Sequence, residues 1–338
     1  MMLMVGDIGG TKTELAIFST ETGPYQSLVN ETYPSSNYKN LEVIVSQFLQ
    51  EVDMPVNRAC FGVAGPVIEG RAKITNLPWV IDASNLKSTF GWDSVNLIND
   101  LEAVAYSIPI LKQDDIFTLN KGKPEPNGNI AIIAPGTGLG EGFLTSTDNG
   151  YYVQASEGGH ASFSPTNTLE DGLLKYLREQ EGYEHVSIER VCSGGFGIPN
   201  IYNYLKEIEY AEEPDWLSEQ LEGSPDPTPI IIDAAKDKNR STRLCKTTLD
   251  MFMNILGAEA GNFALKVLAT GGIYLGGGIV PRILDQIQQP LFLENLWNKG
   301  RFRKMLSNIP VHVIMNNKSG LMGAAAYEMG GYGGGRNE

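Results

Sequence analysis

Asp7-Ile8-Gly9-Gly10-Thr11-Lys12 lies between two apolar segments that read as strands. Adjacent glycines let a chain turn sharply and bring backbone N–H groups close to a phosphate with no Cβ in the way. Thr11 adds a hydroxyl donor, and Asp7 is placed to hold a metal ion through water. The same residues also suit an ordinary Gly-Gly hairpin, so both meanings stay open. Gly136-Thr137-Gly138-Leu139-Gly140 follows one apolar run and precedes another. Its spacing is not the dinucleotide fingerprint, no helix pattern follows it, and the chain contains no P-loop pattern. A tight β-turn is the plain alternative. Gly276-Gly277-Gly278-Ile279-Val280-Pro281 joins a strand pattern to a helix pattern. Backbone bare of side chains there lets a flat heterocycle lie against it, or is simply a flexible connection.

The polar candidates are carboxylates and amides near such turns. Asp100, in Leu97-Ile98-Asn99-Asp100, falls where a strand pattern gives way to a helix pattern. Strand C-terminal ends are the usual place for ligands in α/β folds, and a carboxylate there can accept the proton of an attacking hydroxyl. Asn99 with Glu102 also reads as a helix capping box, with Asp100 favoured by the positive helix end. Glu157-Gly158-Gly159-His160 sets a carboxylate and an imidazole three residues apart on a loop that two glycines leave shapeable. Each carboxylate oxygen can accept one O–H, which suits vicinal hydroxyls. As metal chemistry the pair lacks further ligands nearby, and a surface loop with an incidental histidine is the bland reading. Glu189, in Ser187-Ile188-Glu189-Arg190, reads by itself as a solvated residue in a helix's first turn. Asn76-Leu77-Pro78-Trp79 suits a ligand-adjacent loop or a buried tryptophan equally well.

The elements that must position these residues follow from periodicity. Leu3 to Val5 and Glu14 to Phe18 read as a strand and its return. Asn40 to Val52 carries Leu41, Ile44, Val45, Phe48, Leu49 and Val52 at helical spacing. Ala59 to Ala64, stopped by Gly65-Pro66, suits a buried strand. Val95 to Ile98 reads as a strand and Leu101 to Ile108 as a helix, so this part alternates as an α/β domain does. Beyond the loop Lys121 to Gly128 come a strand at Ile130 to Ala134 and a hairpin through Tyr151 to Ala155. Helices are expected from Thr168, with Asp171 completing a capping box, and from about Ser241 to Leu268. Strands at Ile273 to Leu275 and Val311 to Ile314 precede a last helix capped by Ser319 and the glycine tail.

At 338 residues the chain is long enough for two domains. Lys and Arg number 26 against 40 Asp and Glu, a formal charge of -14. Such a surface repels polyanions, which argues against nucleic acid and acidic membranes as partners. No apolar run approaches the ~18 residues of a transmembrane helix, and the first residues carry no secretory signal pattern. Cys60, Cys192 and Cys245 stand far apart, which fits neither a disulfide framework nor a paired-cysteine metal site. A cytoplasmic protein is expected.

In order along the chain, DIGGT, PGTGLG and GGGIVPR are similar to the two phosphate motifs and the adenosine motif of the actin, sugar-kinase and heat-shock ATPase fold. LIND, EGGH and IERVCSG resemble the sugar-site motifs of the bacterial glucokinases, and the match leaves only the tail uncovered. The resemblance implies an α/β, two-lobed actin-like (hexokinase-type, ribonuclease H-like) fold with an interlobe cleft. It implies a small α/β domain of residues 1–110 plus 316–338 and a large α+β domain of 111–315. It implies transfer of the γ-phosphate of ATP, with Mg²⁺, to the 6-hydroxyl of glucose. Asp100 would then be the general base, with Asn99, Asp100, Glu157, His160, Glu189 and Asn76 on the sugar. Asp7, Gly9, Gly10, Thr11, Gly136, Thr137, Gly138, Gly277 and Gly278 would hold the nucleotide, Asp7 reaching the metal through water. A homodimer is the family expectation. Lys12 stands where related chains vary, so it is given no catalytic role. No cysteine falls between His160 and Cys192 and no helix-turn-helix precedes Asp7, so neither the zinc nor the DNA-binding head of a related sugar-kinase branch is expected. A kinase for another hexose and a non-catalytic sugar sensor are the competing readings.

Overall fold

The computed structural model describes residues 1–74, 77–148, 150–240 and 242–330. Internal packing divides the chain into two units. The first takes Met1–Ile116, Leu144–Ala155 and the chain from Met315 on; the second takes Phe117–Phe143 and Ser156–Ile314. The segment 144–155, which the expected division kept with the larger domain, packs with the first unit.

The first unit opens with β1 (Met2–Ile8), β2 (Lys12–Ser19), β3 (Val29–Pro34), β4 (Arg58–Val63), β5 (Val67–Ile68), β6 (Arg71–Lys73), β7 (Val80–Asp82) and β8 (Ser94–Asn99). Five of them form one sheet in the order β3-β2-β1-β4-β8, and β5-β6-β7 make a small second sheet. The centre of the larger sheet is buried on both faces, so β1 and β4 read as continuous apolar runs. β1, β4 and β8 are parallel, with Ile8 level with Val63 and Val63 level with Asn99. Their C-terminal ends therefore open on one edge, where Asp7, Gly65, Asn99 and Asp100 gather.

Helices α1 (Leu41–Val52), α2 (Ala83–Phe90) and α3 (Asp100–Ser107) belong to this unit. α1 starts at Asn40, whose side chain accepts from the Val43 N–H at 3.2 Å, and buries Leu41, Ile44, Val45 and Phe48. That is the stripe its periodicity gives.

The second unit holds β9 (Ile116–Asn120), β10 (Ile130–Pro135), β11 (Leu139–Thr147), β13 (Gly272–Leu275) and β14 (Val311–Ile314) in the order β11-β10-β13-β14-β9. Beyond Phe143, β11 passes into the first unit, where its far end and β12 (Gly150–Ala155) form a hairpin arm against α3. Around the sheet lie α4 (Thr168–Glu179), α5 (Gly197–Glu207), α6 (Asp215–Glu222), α7 (Thr228–Lys236), α8 (Arg243–Val267), α9 (Ile279–Arg282), α10 (Leu284–Ile287), α11 (Pro290–Trp297) and α12 (Arg303–Ser307). α8 is the spine of the core, buried from Leu244 to Ala264 along most of its circumference. No described helix is long and apolar enough to cross a membrane. α4 is capped by Asn167, whose Oδ1 accepts from the Leu169 and Glu170 N–H groups at 3.1 Å, and not by Thr168, which is the first helical residue. The expected start of α8 at Ser241 lies outside the described residues; Thr242 caps it, Oγ1 accepting from Cys245 N–H at 3.1 Å.

The chain returns to the first unit as α13 (Ser319–Glu328). Ser319, expected to cap it, is instead its first helical residue and buried, and the helix has no side-chain cap. α13 packs on α3, β1 and β4 through Gly323-Ala324-Ala325-Ala326. At its end the buried Glu328 accepts from the Arg58 guanidinium at 2.6 Å and from Asn96 at 2.6 Å, tying the helix to the sheet.

Candidate active site

In the first unit, Gly9 to Thr11 form the turn of the β1–β2 hairpin. The Gly9 N–H is used inside the turn, donating to the Lys12 carbonyl at 2.9 Å. Ser35 pins the turn from outside. Its Oγ donates to the Gly9 carbonyl at 2.8 Å, and its N–H donates to the Thr11 carbonyl at 3.0 Å. Gly10 and Thr11 keep their amides out of this internal network, so two donors and the Thr11 hydroxyl remain for an anion. The hairpin and the phosphate readings of this sequence are thus compatible.

Asp100 is the first residue of α3 and Asn99 its N-cap. The Asn99 N–H donates to Glu102 Oε2 at 3.2 Å and the Asn99 amide donates to the Gly65 carbonyl at 3.1 Å. The Leu101 N–H serves both Asn99 Oδ1 at 3.0 Å and Asp100 Oδ1 at 2.9 Å. The capping box is therefore present, and it fixes the backbone from which Asp100 projects. Desolvation pushes the Asp100 carboxyl above its ordinary value, opposed by hydrogen bonds from Leu101, from its own N–H and from Asn99.

Asp7 is pushed up to about 6, first by desolvation, then by the charge of Asp100, with Lys12 opposing. Gly320, in the first turn of α13, lies against it, and a Cβ there would stand 3.5 Å from Asp7 Oδ2. A buried carboxyl raised further by a neighbouring carboxylate is a donor that a divalent cation relieves. The residues present therefore fit a water-mediated magnesium at Asp7.

In the second unit, the turn Gly136–Gly138 is held through its carbonyls. Gly194 N–H donates to Gly136 O at 2.7 Å and Gly195 N–H to Thr137 O at 2.9 Å. A Cβ at Gly195 would meet Thr137 O at 2.6 Å, so this pair of glycines is a steric requirement. The Thr228 hydroxyl in turn donates to Gly194 O at 2.5 Å. Gly277 stacks the third turn on the end of β10: it has φ +76°, and a Cβ would run into the Pro135 carbonyl. Gly136 and Gly278 have only open space where a Cβ would stand. The arrangement is a bare backbone floor in which the Gly136 N–H closes the turn, donating to Gly138 O at 2.9 Å, and the Thr137 and Gly138 amides stay out of that bond.

The Glu157–His160 loop folds onto the start of β11, where Gly159 lies so close to the Leu139 carbonyl that no side chain fits. His160 Nε2 is 3.8 Å from Glu157 Oε2 and its Nδ1 is 3.7 Å from Glu189 Oε2. Glu189 is not a solvated helix residue. It sits in a 3-10 turn, Ile188–Arg190, with its side chain 17% exposed, against 79% for Glu157 and 65% for His160. Ser193 holds that turn, its hydroxyl donating to Glu189 O at 2.8 Å and accepting from Gly197 N–H at 3.2 Å. Glu189 Oε1 also touches the glycine turn: a Cβ at Gly138 would stand 2.5 Å from it. Two carboxylates and an imidazole thus converge beside the Gly136–Gly138 turn.

Asn76 lies outside the described residues; Trp79, beside it in sequence, is buried at 2% exposure. The sequence reading missed Ser35, Gly195 and Thr228, and held Gly194 only as the end of the motif IERVCSG. The doubled glycine in Ser193-Gly194-Gly195 was a usable signal, whereas Ser35 and Thr228 carry none in sequence. It also passed over Glu141, a buried acid inside β11.

A family model described as Glucokinase matches residues 4–330. The glucokinase of Nostoc punctiforme is 45% identical over 336 residues, covering 96% of this chain and 98% of its own. Among solved structures, a glucokinase from an Antarctic psychrotroph superposes with TM-score 0.82 at 31% identity, over 97% of this chain and 99% of that one. A Balamuthia mandrillaris glucokinase solved with glucose gives TM-score 0.79 at 20% identity, over 98% and 94% of the two chains, a likeness of fold.

Proposed function

Because the chain belongs to the glucokinase family, with an α/β actin-like kinase fold, we propose that it moves the γ-phosphate of ATP to the 6-hydroxyl of glucose with Asp100 as the general base. The relatives make it an ATP-dependent hexose kinase. The observation that carries the base assignment is the Asp100 carboxylate at the first residue of α3, projecting from the backbone that the Asn99–Glu102 capping box fixes and raised above its ordinary value by desolvation. A base does best with a pKa not far below the pH at which it works.

Asp100 takes the proton of the attacking hydroxyl, and Asn99 holds a neighbouring one. Glu157, His160 and Glu189 accept and donate to the remaining ring hydroxyls, each carboxylate oxygen taking one O–H. The amides of Gly10, Thr11, Thr137 and Gly138 face phosphate oxygens, and preorganised donors of this kind stabilise charge that grows on the transferring group. Asp7 would hold Mg²⁺ through water, where the ion supplies positive charge against that phosphoryl group.

The test is ADP release with MgATP and, in parallel, glucose, mannose, fructose, N-acetylglucosamine or no sugar. Release confined to glucose supports the reading. Release without sugar, or with none of the four, removes it. Glu157→Gln and His160→Ala are each expected to raise the KM for glucose roughly ten-fold while kcat changes far less, the signature of lost ground-state binding. An unchanged KM takes that residue out of the sugar site.

A further inference from the structure

Glu141 interrupts the apolar face of β11, two residues after Leu139 begins the strand. It is 1% exposed, and its Oε1 has no hydrogen-bond partner among the described residues. A buried carboxyl without a partner is costly and calls for an explanation. The other oxygen supplies one: Oε2 lies so close beneath Gly158 that no Cβ fits there, and the Gly158 N–H is held at 3.0 Å by Ser156 Oγ on the same side. We infer that Glu141 is a positioning residue for the sugar loop, its buried carboxyl group forming the floor on which Gly158 rests and keeping Glu157 and His160 beside Glu189.

This inference rests on the reading of residues 157–160 as the sugar loop. The groups packed around Glu141 are few. α8 presents Glu259, 5% exposed, whose Oε1 also has no hydrogen-bond partner and lies 3.6 Å from Lys266 Nζ. Asn262, hydrogen-bonded to Lys299, donates to the other oxygen of Glu259 at 3.0 Å. The buried Cys192 thiol precedes α5, and its own pKa is pushed up by burial and by both acids. Desolvation first, then Glu259, push Glu141 up to about 7, with Lys266 opposing. At neutral pH the floor therefore exists in two forms. The protonated one sits quietly under the glycine. The ionised one sets a second buried negative charge against Glu259, which costs free energy unless the loop lifts and admits water.

The experiment is amide hydrogen exchange of the segment 156–161 at pH 6 and pH 8, corrected for intrinsic rates, with glucose kinetics alongside. The proteins are wild type, Glu141→Gln and Glu141→Ala. In wild type, protection is expected to fall and the glucose KM to rise roughly ten-fold between the two pH values, about one pKa unit of differential interaction, with kcat little changed. Glu141→Gln, permanently neutral and of the same shape, should stay protected at both. Glu141→Ala should be loose at both. His160 is present in every variant, so the difference between variants reads Glu141 alone. A Gln variant that loses protection with pH as wild type does overturns the inference, as does an Ala variant as protected as wild type. Should Ala not fold, the wild-type and Gln comparison decides it. A wild type that phosphorylates no glucose sinks the functional reading, while exchange still decides this one.

Discussion

Asp100→Asn is expected to lower kcat for glucose by roughly 10³-fold while the glucose KM stays within a few-fold, since positioned proton acceptors contribute about 10²–10⁴. Asparagine keeps the size and the hydrogen bond to the hydroxyl but cannot take the proton. The backbone is not at risk, because the capping box runs through Asn99 and Glu102, and the Asp100 side chain takes only local hydrogen bonds from Leu101, its own N–H and Asn99, which an asparagine oxygen can also accept. The variant also tests the electrostatics. Asp7 is held up to about 6 partly by the charge of Asp100, so its carboxyl should titrate lower once that charge is gone. In wild type, kcat/KM should fall on the acid side as Asp7 takes up its proton near that value. Steady-state ADP release across pH 5 to 8 reads both effects. A variant that keeps a tenth or more of wild-type kcat removes Asp100 as the base.

Gly323→Ala should be the most damaging single methyl group in the first unit. α13 approaches α3 so closely at Gly323 that an added Cβ would land on the Ala103 carbonyl oxygen and within 2.9 Å of the Ser107 N–H. Both obstacles are backbone, so no side chain can swing away and one helix must move. Overpacking costs typically 1–3 kcal/mol and more where backbone has to shift, so a loss of about 3 kcal/mol and a melting point lower by roughly 5–10 °C are expected. Activity should fall as well. Asp100 begins α3, and the first turn of α13 lies against Asp7, so forcing the helices apart moves both carboxylates. A thermal melt within one degree of wild type would contradict the packing described here.

The sequence was legible where local pattern and global fold agree. The three glycine turns, the strands that carry them and α1 stand where their periodicity and turn residues put them. Capping was read less well, because Thr168 and Ser319 are good capping types that here fall one residue inside their helices. Asn167 and Lys318 precede them, and only backbone geometry separates a cap from a first turn. The helices α5, α6 and α7 escaped notice, since their apolar positions are broken by Pro and by short loops. Within the site, the motif residues were visible and their supports were not. Ser35 holds the first turn from a neighbouring strand's end, and Thr228 reaches Gly194 across 34 residues. Such contacts exist only once the fold does. Glu189 shows the opposite error: its local sequence says solvent, and the Ser193 bond and Gly138 turn make it a partly enclosed wall.

The first unit is assembled from three stretches, and α13 is the last of them to be made. While a nascent chain elongates, β1, β4 and α3 emerge early, but the apolar face that α13 covers has nothing to meet, and Arg58 lacks its Glu328 partner, until the whole second unit has followed. At ~5–20 residues per second of synthesis, that interval is on the order of ten seconds or more, far longer than most local folding events. The first unit therefore stays incomplete over that interval, with one face of its sheet and of α3 uncovered. Asp100, the proposed base, begins a helix whose α13-facing side stays uncovered until residues 319–328 have been made.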